Sequence, residues 1–360
     1  MTSHEDLLGN SAGDDAGCAT DANGSADANG ADDANGAADV ATAGNADSAT
    51  DDANHVFVTA EDDVVALDGG SQDDAEPPVV VKVGGAMAVD PAGAIDDVAH
   101  LVANGREVVV VHGGSTAVDE TLEHLGKEPQ YVETPSGVTG RYTDAETMEV
   151  FEMVMAGKLN TELVADLQGV GVDAVGLSGV DGGLISGPRK SAIRVREDGK
   201  KKIKRGEHSG SIESVNADLL ETLLSAGHVP VVSPPMLGEE DEGDVTPVNT
   251  DADRAAAAVA GALDAELVLL TDVAGVYADP DDPETLIESV TTPADLETLE
   301  DAAEGFMGKK VMAAEEALAD GASEVVVSDA NVRDPVVNAL GDAGTHIEAS
   351  AVTADATEDI

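Results

Sequence analysis

Two glycine turns, each closing a Val-rich run, carry groups suited to phosphate. In Lys82-Val83-Gly84-Gly85-Ala86 an ammonium stands at the end of the run, and two residues without side chains follow, where backbone amides can approach an anion closely. His112-Gly113-Gly114-Ser115 ends a second run in the same way, so two adjacent strand ends would present open amides to one crevice. Neither is the Gly-x4-Gly-Lys-Ser/Thr phosphate loop, and neither is the Gly-x-Gly-x-x-Gly dinucleotide turn. His112 has no companion His or carboxylate at metal-ligand spacing and reads as a structural histidine. Taken alone, the first turn is equally well a tight strand end with a surface lysine.

A third feature is electrostatic. Arg189, Lys190, Arg194, Arg196, Lys200, Lys201, Lys202, Lys204 and Arg205 place nine of the chain's 18 basic residues within 17 positions. Glu197-Asp198-Gly199 interrupts them and Ile193, Val195 and Ile203 flank the turn, so 189–205 is predicted to be a two-stranded ribbon with exposed cations. The plain reading is a solvated hairpin. In a chain of 73 acidic residues and formal net charge -55, the concentration points to a dock for an acidic partner or substrate. The same net charge argues against bare nucleic acid as a partner.

The elements that must position these groups follow from periodicity. Val-, Ile- and Leu-rich runs at 79–83, 108–112, 174–178, 229–233, 267–271 and 324–328 read as buried strands. Helical patterns lie between them at 95–104, 116–125, 144–168, 215–226, 251–263 and 309–320, several closed by glycine, at Gly105, Gly126, Gly169, Gly227 and Gly321. Continuous apolar strands alternating with helices indicate an α/β fold with an open, mainly parallel sheet covered on both faces. Ligands then bind beyond the carboxyl ends of the strands. With 42% apolar residues, 2% aromatic and no Trp in 360, the core must be built from small aliphatic side chains.

Residues 1–76 contain 19 carboxylates and no Lys or Arg, and repeat Asp-Ala-Asn-Gly at 21–24, 27–30 and 33–36. Such a segment cannot bury enough apolar area to offset its ordering entropy, and it is expected to be a disordered acidic tail; 351–360 is expected to be a C-terminal tail. The remaining 54 of the 73 acidic residues follow the tail, and this composition resembles adaptation to high salt, the mark of a halophile. Cys18, the single cysteine, lies in the tail, which excludes an internal disulfide and a thiolate zinc site. No charged-then-apolar leader and no membrane-length apolar run occurs, so a soluble, cytoplasmic protein is expected, with no membrane partner.

Set in order, Lys82-x-Gly-Gly, His112-Gly-Gly, Asn249-x-x-x-Asp253, Thr271-Asp272-Val273-x-Gly275-Val276-Tyr277 and a Lys310 opening a late helix resemble the amino acid kinase family over roughly residues 78–350. The likeness is to its acetylglutamate kinase branch, which phosphorylates a side-chain carboxylate with ATP. The resemblance implies a three-layer α/β/α sandwich, ATP with Mg²⁺, and a homodimer. It also implies an acyl-acceptor lobe at 77–235 and an ATP lobe at 236–350. Residue by residue, it implies that Lys82 and Lys310 stabilise the transition state from opposite sides while Asp253 holds both ammonium groups. Gly84, Gly85, Gly113 and Gly114 would contribute amides, with Gly113 and Gly114 also facing the substrate. Arg141 would take the substrate carboxylate and Asn249 its amide-bearing end. Thr271, Asp272, Tyr277 and Lys309 would lie on the nucleotide side.

The absence of a catalytic histidine is no objection, because a carboxylate nucleophile is already deprotonated at neutral pH. The reaction needs two anions aligned and the transferring phosphoryl group neutralised. Singly, each residue has a plainer role: Arg141 as a surface side chain, Asn249 as a helix N-cap, Asp253 as a first-turn charge. Ser115 stands where many acetylglutamate kinases have a third Gly, and Phe306 near Lys310 where a Gly is common.

The family divides between free N-acetylglutamate and an acidic amino acid, glutamate or 2-aminoadipate, borne on a small acidic carrier protein, LysW. Thr134-Pro135-Ser136-Gly137-Val138-Thr139-Gly140-Arg141-Tyr142-Thr143-Asp144 looks like the carrier-dependent form of the arginine loop. Gly176-Leu177-Ser178-Gly179-Val180-Asp181-Gly182-Gly183, followed by Gly187-Pro188-Arg189-Lys190, is similar to the same group. The basic segment 189–205 supplies what an acidic carrier needs to approach an acidic enzyme. A kinase of carrier-bound aminoadipate or glutamate in lysine or arginine biosynthesis is therefore the expectation, with N-acetylglutamate kinase as the alternative.

Overall fold

A computed structural model of the chain describes residues 76–352, except 85–90, 136, 138, 198, 241–242 and 304. Residues 1–75 of the acidic tail, with Cys18, and also Gly85 and the last eight residues lie outside the described residues, while Glu76 is described and pairs with Arg106. In chain order the elements are β1 (Val79–Val83), α1 (Ala92–Ala103), β2 (Val108–His112), α2 (Ser115–His124), β3 (Tyr131–Glu133), β4 (Thr139–Arg141), α3 (Ala145–Glu152), α4 (Asn160–Gly169), β5 (Ala174–Gly179), β6 (Ile185–Glu197), β7 (Lys200–Gly210) and β8 (Ser214–Val215). They continue with α5 (Ala217–Ser225), β9 (Val229–Glu239), β10 (Val245–Val248), α6 (Ala252–Ala262), β11 (Glu266–Thr271), β12 (Ser289–Val290), α7 (Pro293–Ala302), α8 (Phe306–Ala319), β13 (Glu324–Asp329), α9 (Pro335–Ala339) and β14 (Thr345–Glu348).

The main sheet runs β12-β14-β13-β11-β1-β2-β9-β6-β7, with β5 and β10 also on β9 and β8 on β6. Its centre is parallel: β1 lies between β11 and β2, β2 pairs with β9, and β11 with β13. Strand β9 does double duty. Its first half pairs with β2 and β5, and its second half with β6 and β10.

Period-two alternation divides the core into two faces. Val79, Val81 and Val83 join Val108, Val110, Val268 and Leu270 under α1, α4 and α9. Val80, Val109, Val111, Leu267 and Leu269 face α5, α6 and α8. The result is the expected α/β/α sandwich. Ala255, Ala256, Ala257 and Ala260 of α6 are all buried, and their small side chains let this helix lie close to both the sheet and α8.

Three local expectations are corrected. The helix predicted over 144–168 is α3 and α4 joined by a π-helical stretch, Met153–Leu159. Gly169 stays within α4, and the left-handed residue that turns the chain is Gly171, at φ 89°. The helix predicted from 215 begins at Ala217, because Ser214–Val215 pairs as a strand with β6. Further elements were not foreseen, namely β3, β4, β8, β10, β12, β14, α7 and α9. The helix α7 follows a Thr292-to-Asp295 capping box, a signal present in the sequence, and β14, between β12 and β13, is only four residues long.

Candidate active site

Because 79, 81 and 83 point to one side of the sheet, Lys82 points to the other, towards α6 and α8. Asp251 caps α6, its side chain accepting from the backbone N–H of Asp253 (2.9 Å) and Arg254 (3.3 Å). This puts Asp253 in the first turn, at the positive end of the helix dipole. Its carboxylate bridges Lys82 Nζ at 2.6 Å and Lys310 Nζ at 3.0 Å, with all three side chains at most 13% exposed. Residues 57 and 171 positions away from Asp253 thus meet on one carboxylate. Burial alone would push the Asp253 carboxyl up, but Lys82 and Lys310 outweigh it and hold it down at about 2. The Lys310 ammonium is pushed down by burial and then by Lys82, against the pull of Asp253. Two ammonium groups fixed on one buried anion can stabilise charge spreading over a transferring phosphoryl group without reorganising at the moment of reaction.

The second glycine turn lies at the next strand end. His112 is buried and pushed down to about 4, chiefly by burial, with Lys82 adding to it. The neutral ring donates from Nδ1 to Gly113 O (3.0 Å) and accepts at Nε2 from Asn160 Nδ2 (3.2 Å), the structural role expected of it. One expectation narrows: the Gly113 N–H is already donated to Val83 O at 3.1 Å, so of this pair only Gly114 can offer its amide to a ligand. Gly114 opens α2, and a Cβ there would fall 2.2 Å from Leu159 Cδ1 and 2.6 Å from Met155 Sδ, so a larger residue would displace the ends of both side chains. Gly84 directly follows β1.

Arg141 and Asn249 sit in separate networks. Arg141 pairs with Asp119 of α2, donates to Ser115 O (2.8 Å) and to the Tyr131 hydroxyl (3.1 Å), and lies over the Tyr131 ring at 5.3 Å. Tyr131 in turn donates to Asp119 at 2.7 Å. Asn249 is not a cap, since Asp251 takes that role; its Nδ2 donates to Thr143 Oγ1 at 2.9 Å. Thr143 is wholly buried, its N–H donating to Glu207 Oε1 (3.3 Å) and its carbonyl accepting from His208 N–H (2.8 Å). Glu207 is itself buried, and burial pushes its carboxyl up to about 7.

The basic ribbon forms as expected from β6 and β7, with Gly199 turning the tip at φ 73°. Val195 is buried on its inner face, while Ile203 is 65% exposed. Several cations are spoken for: Lys202 pairs with Glu197, Arg196 with Glu133, Arg189 with Glu240, and Lys204 covers the Tyr142 ring. Arg194, Lys200, Lys201 and Arg205 are exposed and make no ion pair among the described residues.

Residues 77–329 match the amino acid kinase family, most of the folded chain. The chain belongs to this family. Among its relatives, the LysW-aminoadipate kinase of Deinococcus radiodurans is 44% identical over 269 residues, 74% of this chain and 90% of that one. The LysW-aminoadipate kinase of Thermus thermophilus is 41% identical over 273 residues, covering 74% and 98%. An acetylglutamate kinase of Methanopyrus kandleri is 44% identical over 253 residues, covering 69% and 94%. Carbamate kinase from Giardia lamblia, bound to AMP-PNP, shares the fold at TM-score 0.56 and 16% identity, over 76% of this chain and 99% of that one. This amino acid kinase family member is accordingly a phosphotransferase acting on a carboxyl group.

On the other side of β1 in this family member, β11 ends in Thr271, buried, whose Oγ1 donates to Asp272 Oδ1 at 3.2 Å. Asp272 is exposed, and Tyr277 lies further along the following loop, bridged to Leu286. Lys309 reaches across to Thr139 O (2.6 Å) and helps line a cavity of about 540 Å³ with Gly137, Glu300, Met312 and Glu315. Burial pushes Glu315 up to about 7, and a hydrogen bond and charge repulsion with Glu300 add to it. Sequence reasoning missed Asp119, Tyr131, Thr143 and Glu207, which hold the expected substrate residues in place. Thr143 and Asp119 carried no spacing signal, because their partners are distant in sequence.

Proposed function

We propose that this protein transfers the γ-phosphoryl group of ATP to the side-chain carboxylate of 2-aminoadipate or glutamate carried on a LysW-type acidic protein, giving an acyl phosphate. The observation that carries the chemistry is the buried Lys82–Asp253–Lys310 cluster. The acceptor carboxylate attacks the γ-phosphorus as it stands, and the bond to the β,γ-bridging oxygen breaks to release ADP. Lys82 and Lys310 take up the developing charge, and Asp253, charged throughout the physiological range, keeps both aimed. Mg²⁺ would arrive with the nucleotide and share in neutralising its phosphates, and the amides of Gly84, Gly85 and Gly114 would donate to phosphate oxygens. Arg141 would receive the acceptor's carboxylate by exchange with Asp119, and Asn249 would meet its amide-bearing end. Thr271, Asp272 and Tyr277 would lie on the nucleotide side, with acyl acceptor over 77–235 and ATP over 236–350.

The free cations of the ribbon support the carrier as substrate, as do the relatives named for LysW. The reading includes a homodimer, a cytoplasmic location and a high-salt working environment, the last from the charge of -55. No helix among the described residues is long and apolar enough to cross a membrane. N-acetylglutamate kinase is the second reading, favoured by the Methanopyrus relative. Hydroxylamine trapping of the acyl phosphate in molar KCl separates them: hydroxamate from carrier-borne aminoadipate or glutamate supports the first, and robust hydroxamate from free N-acetylglutamate alone would establish the second.

A further inference from the structure

Asp97 apart, whose carboxylate takes the backbone N–H groups of Val336 and Val337, Glu207 is the acidic side chain that the described residues bury most completely without an ion pair. It is 1% exposed, and its Oε2 is buried with no hydrogen-bond partner among the described residues. An acid held this way is a poor stabilising device, because desolvation of the unpartnered oxygen works against folding. Its placement suggests another use. Glu207 follows Gly206, whose left-handed backbone (φ 86°) swings the chain in from the ribbon's second strand, and a Cβ at 206 would fall 3.2 Å from the Tyr142 hydroxyl.

From there Glu207 sits where three structures meet. Its Oε1 accepts the N–H of Thr143, and the neighbouring His208 N–H donates to Thr143 O, so both polar groups of the Thr143 backbone are fixed by β7. The Thr143 hydroxyl accepts from the Asn249 side chain, and the Asn249 N–H donates to His208 O at 2.8 Å. One residue earlier, Tyr142 donates to Arg205 O at 2.6 Å while Lys204 lies 3.5 Å above its ring. One residue earlier still is Arg141. Three consecutive residues therefore look in three directions: Arg141 to Asp119, the carboxylate that the acceptor is proposed to displace, Tyr142 to the cationic ribbon, and Thr143 to Asn249. Arg189, at the ribbon's base, closes the arrangement through Glu207 O (3.3 Å) and His208 Nε2 (3.0 Å).

We propose that Glu207 is a positioning residue for the acyl acceptor: by gripping Thr143 it keeps the foot of the ribbon in register with Asn249 and Arg141. It touches no reacting atom. The inference rests on the proposed roles of Arg141 and Asn249 and does not depend on which acceptor is used.

The test is steady-state kinetics of Glu207→Ala, Glu207→Gln and Thr143→Val, with carrier-borne acid and with free N-acetylglutamate as separate acceptors. E207Q keeps an acceptor oxygen for Thr143 N–H and should restore behaviour to within about twofold of wild type. E207A and T143V should each raise KM for whichever acceptor is turned over by about tenfold, with KM for ATP changing less than twofold. The double variant should be no worse than the poorer single one, because both break the same chain of hydrogen bonds. Thermal melts identify which variants fold; if E207A does not, T143V with E207Q decides. Equal increases in both KM values, or an unchanged acceptor KM in a folded T143V, would overturn the proposal. Activity on N-acetylglutamate alone would refute the carrier reading, while the KM ratio would still judge Glu207.

Discussion

Replacing Asp253 by Asn keeps the shape of the side chain and removes its charge, leaving two buried ammonium groups beside a neutral amide. Loss of one member of a buried ion pair costs on the order of 3–5 kcal/mol. For a domain of this size that is a fall in Tm of roughly 6–20 °C. The wild-type carboxyl is held down at about 2, so its stabilisation is complete above the ordinary carboxylate range and disappears as pH falls towards that value. The gap in Tm between wild type and D253N should therefore be constant from neutral pH to mild acid and narrow in strong acid. Turnover should drop by about 10²- to 10³-fold, the cost of losing a preorganised electrostatic group. ATP should bind no more weakly, because the variant has lost an anion that competes with phosphate for both lysines, and ATP should raise the variant's Tm more than the wild type's. The residual kcat should rise as alkaline pH is lowered, because Lys310, already pushed down by burial, has lost the carboxylate that kept it protonated. The assays are hydroxamate formation and thermal melting in molar KCl. A D253N enzyme with kcat within fivefold of wild type and an unchanged melt would refute the assignment of Asp253 as organiser of the lysines.

Reversing Arg194, Lys201 and Arg205 to Glu should raise KM for the carrier-borne substrate by on the order of tenfold, with the deficit shrinking as salt is added and KM for ATP unmoved; surface plasmon resonance with the purified carrier reads the same loss. Glu315→Gln should raise Tm at pH 8 and leave it nearly unchanged at pH 5, since a carboxyl pushed up to about 7 is protonated in acid and repels Glu300 only when ionised. Deleting residues 1–75 should leave specific activity nearly unchanged, because it spares the Glu76 contact with Arg106; a several-fold loss would assign the tail a part in catalysis or assembly.

The strands were legible because each is a continuous apolar run, and once β1 alternates, the face on which Lys82 emerges follows. The meeting of Lys82, Asp253 and Lys310 was reached through the family's motif order, because nothing in local spacing joins residues so far apart. Gly113 shows where motif reading loses resolution: the pattern marks a glycine but not whether its N–H is free, and the neighbouring Val83 carbonyl takes it. Glu207 escaped because an acidic residue at the end of a charged ribbon looks like surface until Gly206 turns it inward. The π-helical stretch escaped because seven residues are too few to reveal a change of helical period by pattern alone.

The double pairing of β9 has a mechanical consequence. From the cationic tip, β7 is laddered to β6, β6 to the far half of β9, the near half of β9 to β2, and β2 to β1, which ends at Lys82. The series carries one register shift, between Lys190 and Ala192, and a protein gripped at the tip would be held at a span set by these ladders from the ammonium proposed to stabilise the transferring phosphoryl group. On the proposed carrier reading the sheet would act as a gauge, and an acid projecting too little or too far from its carrier would be rejected by reach, before any pocket had to recognise it.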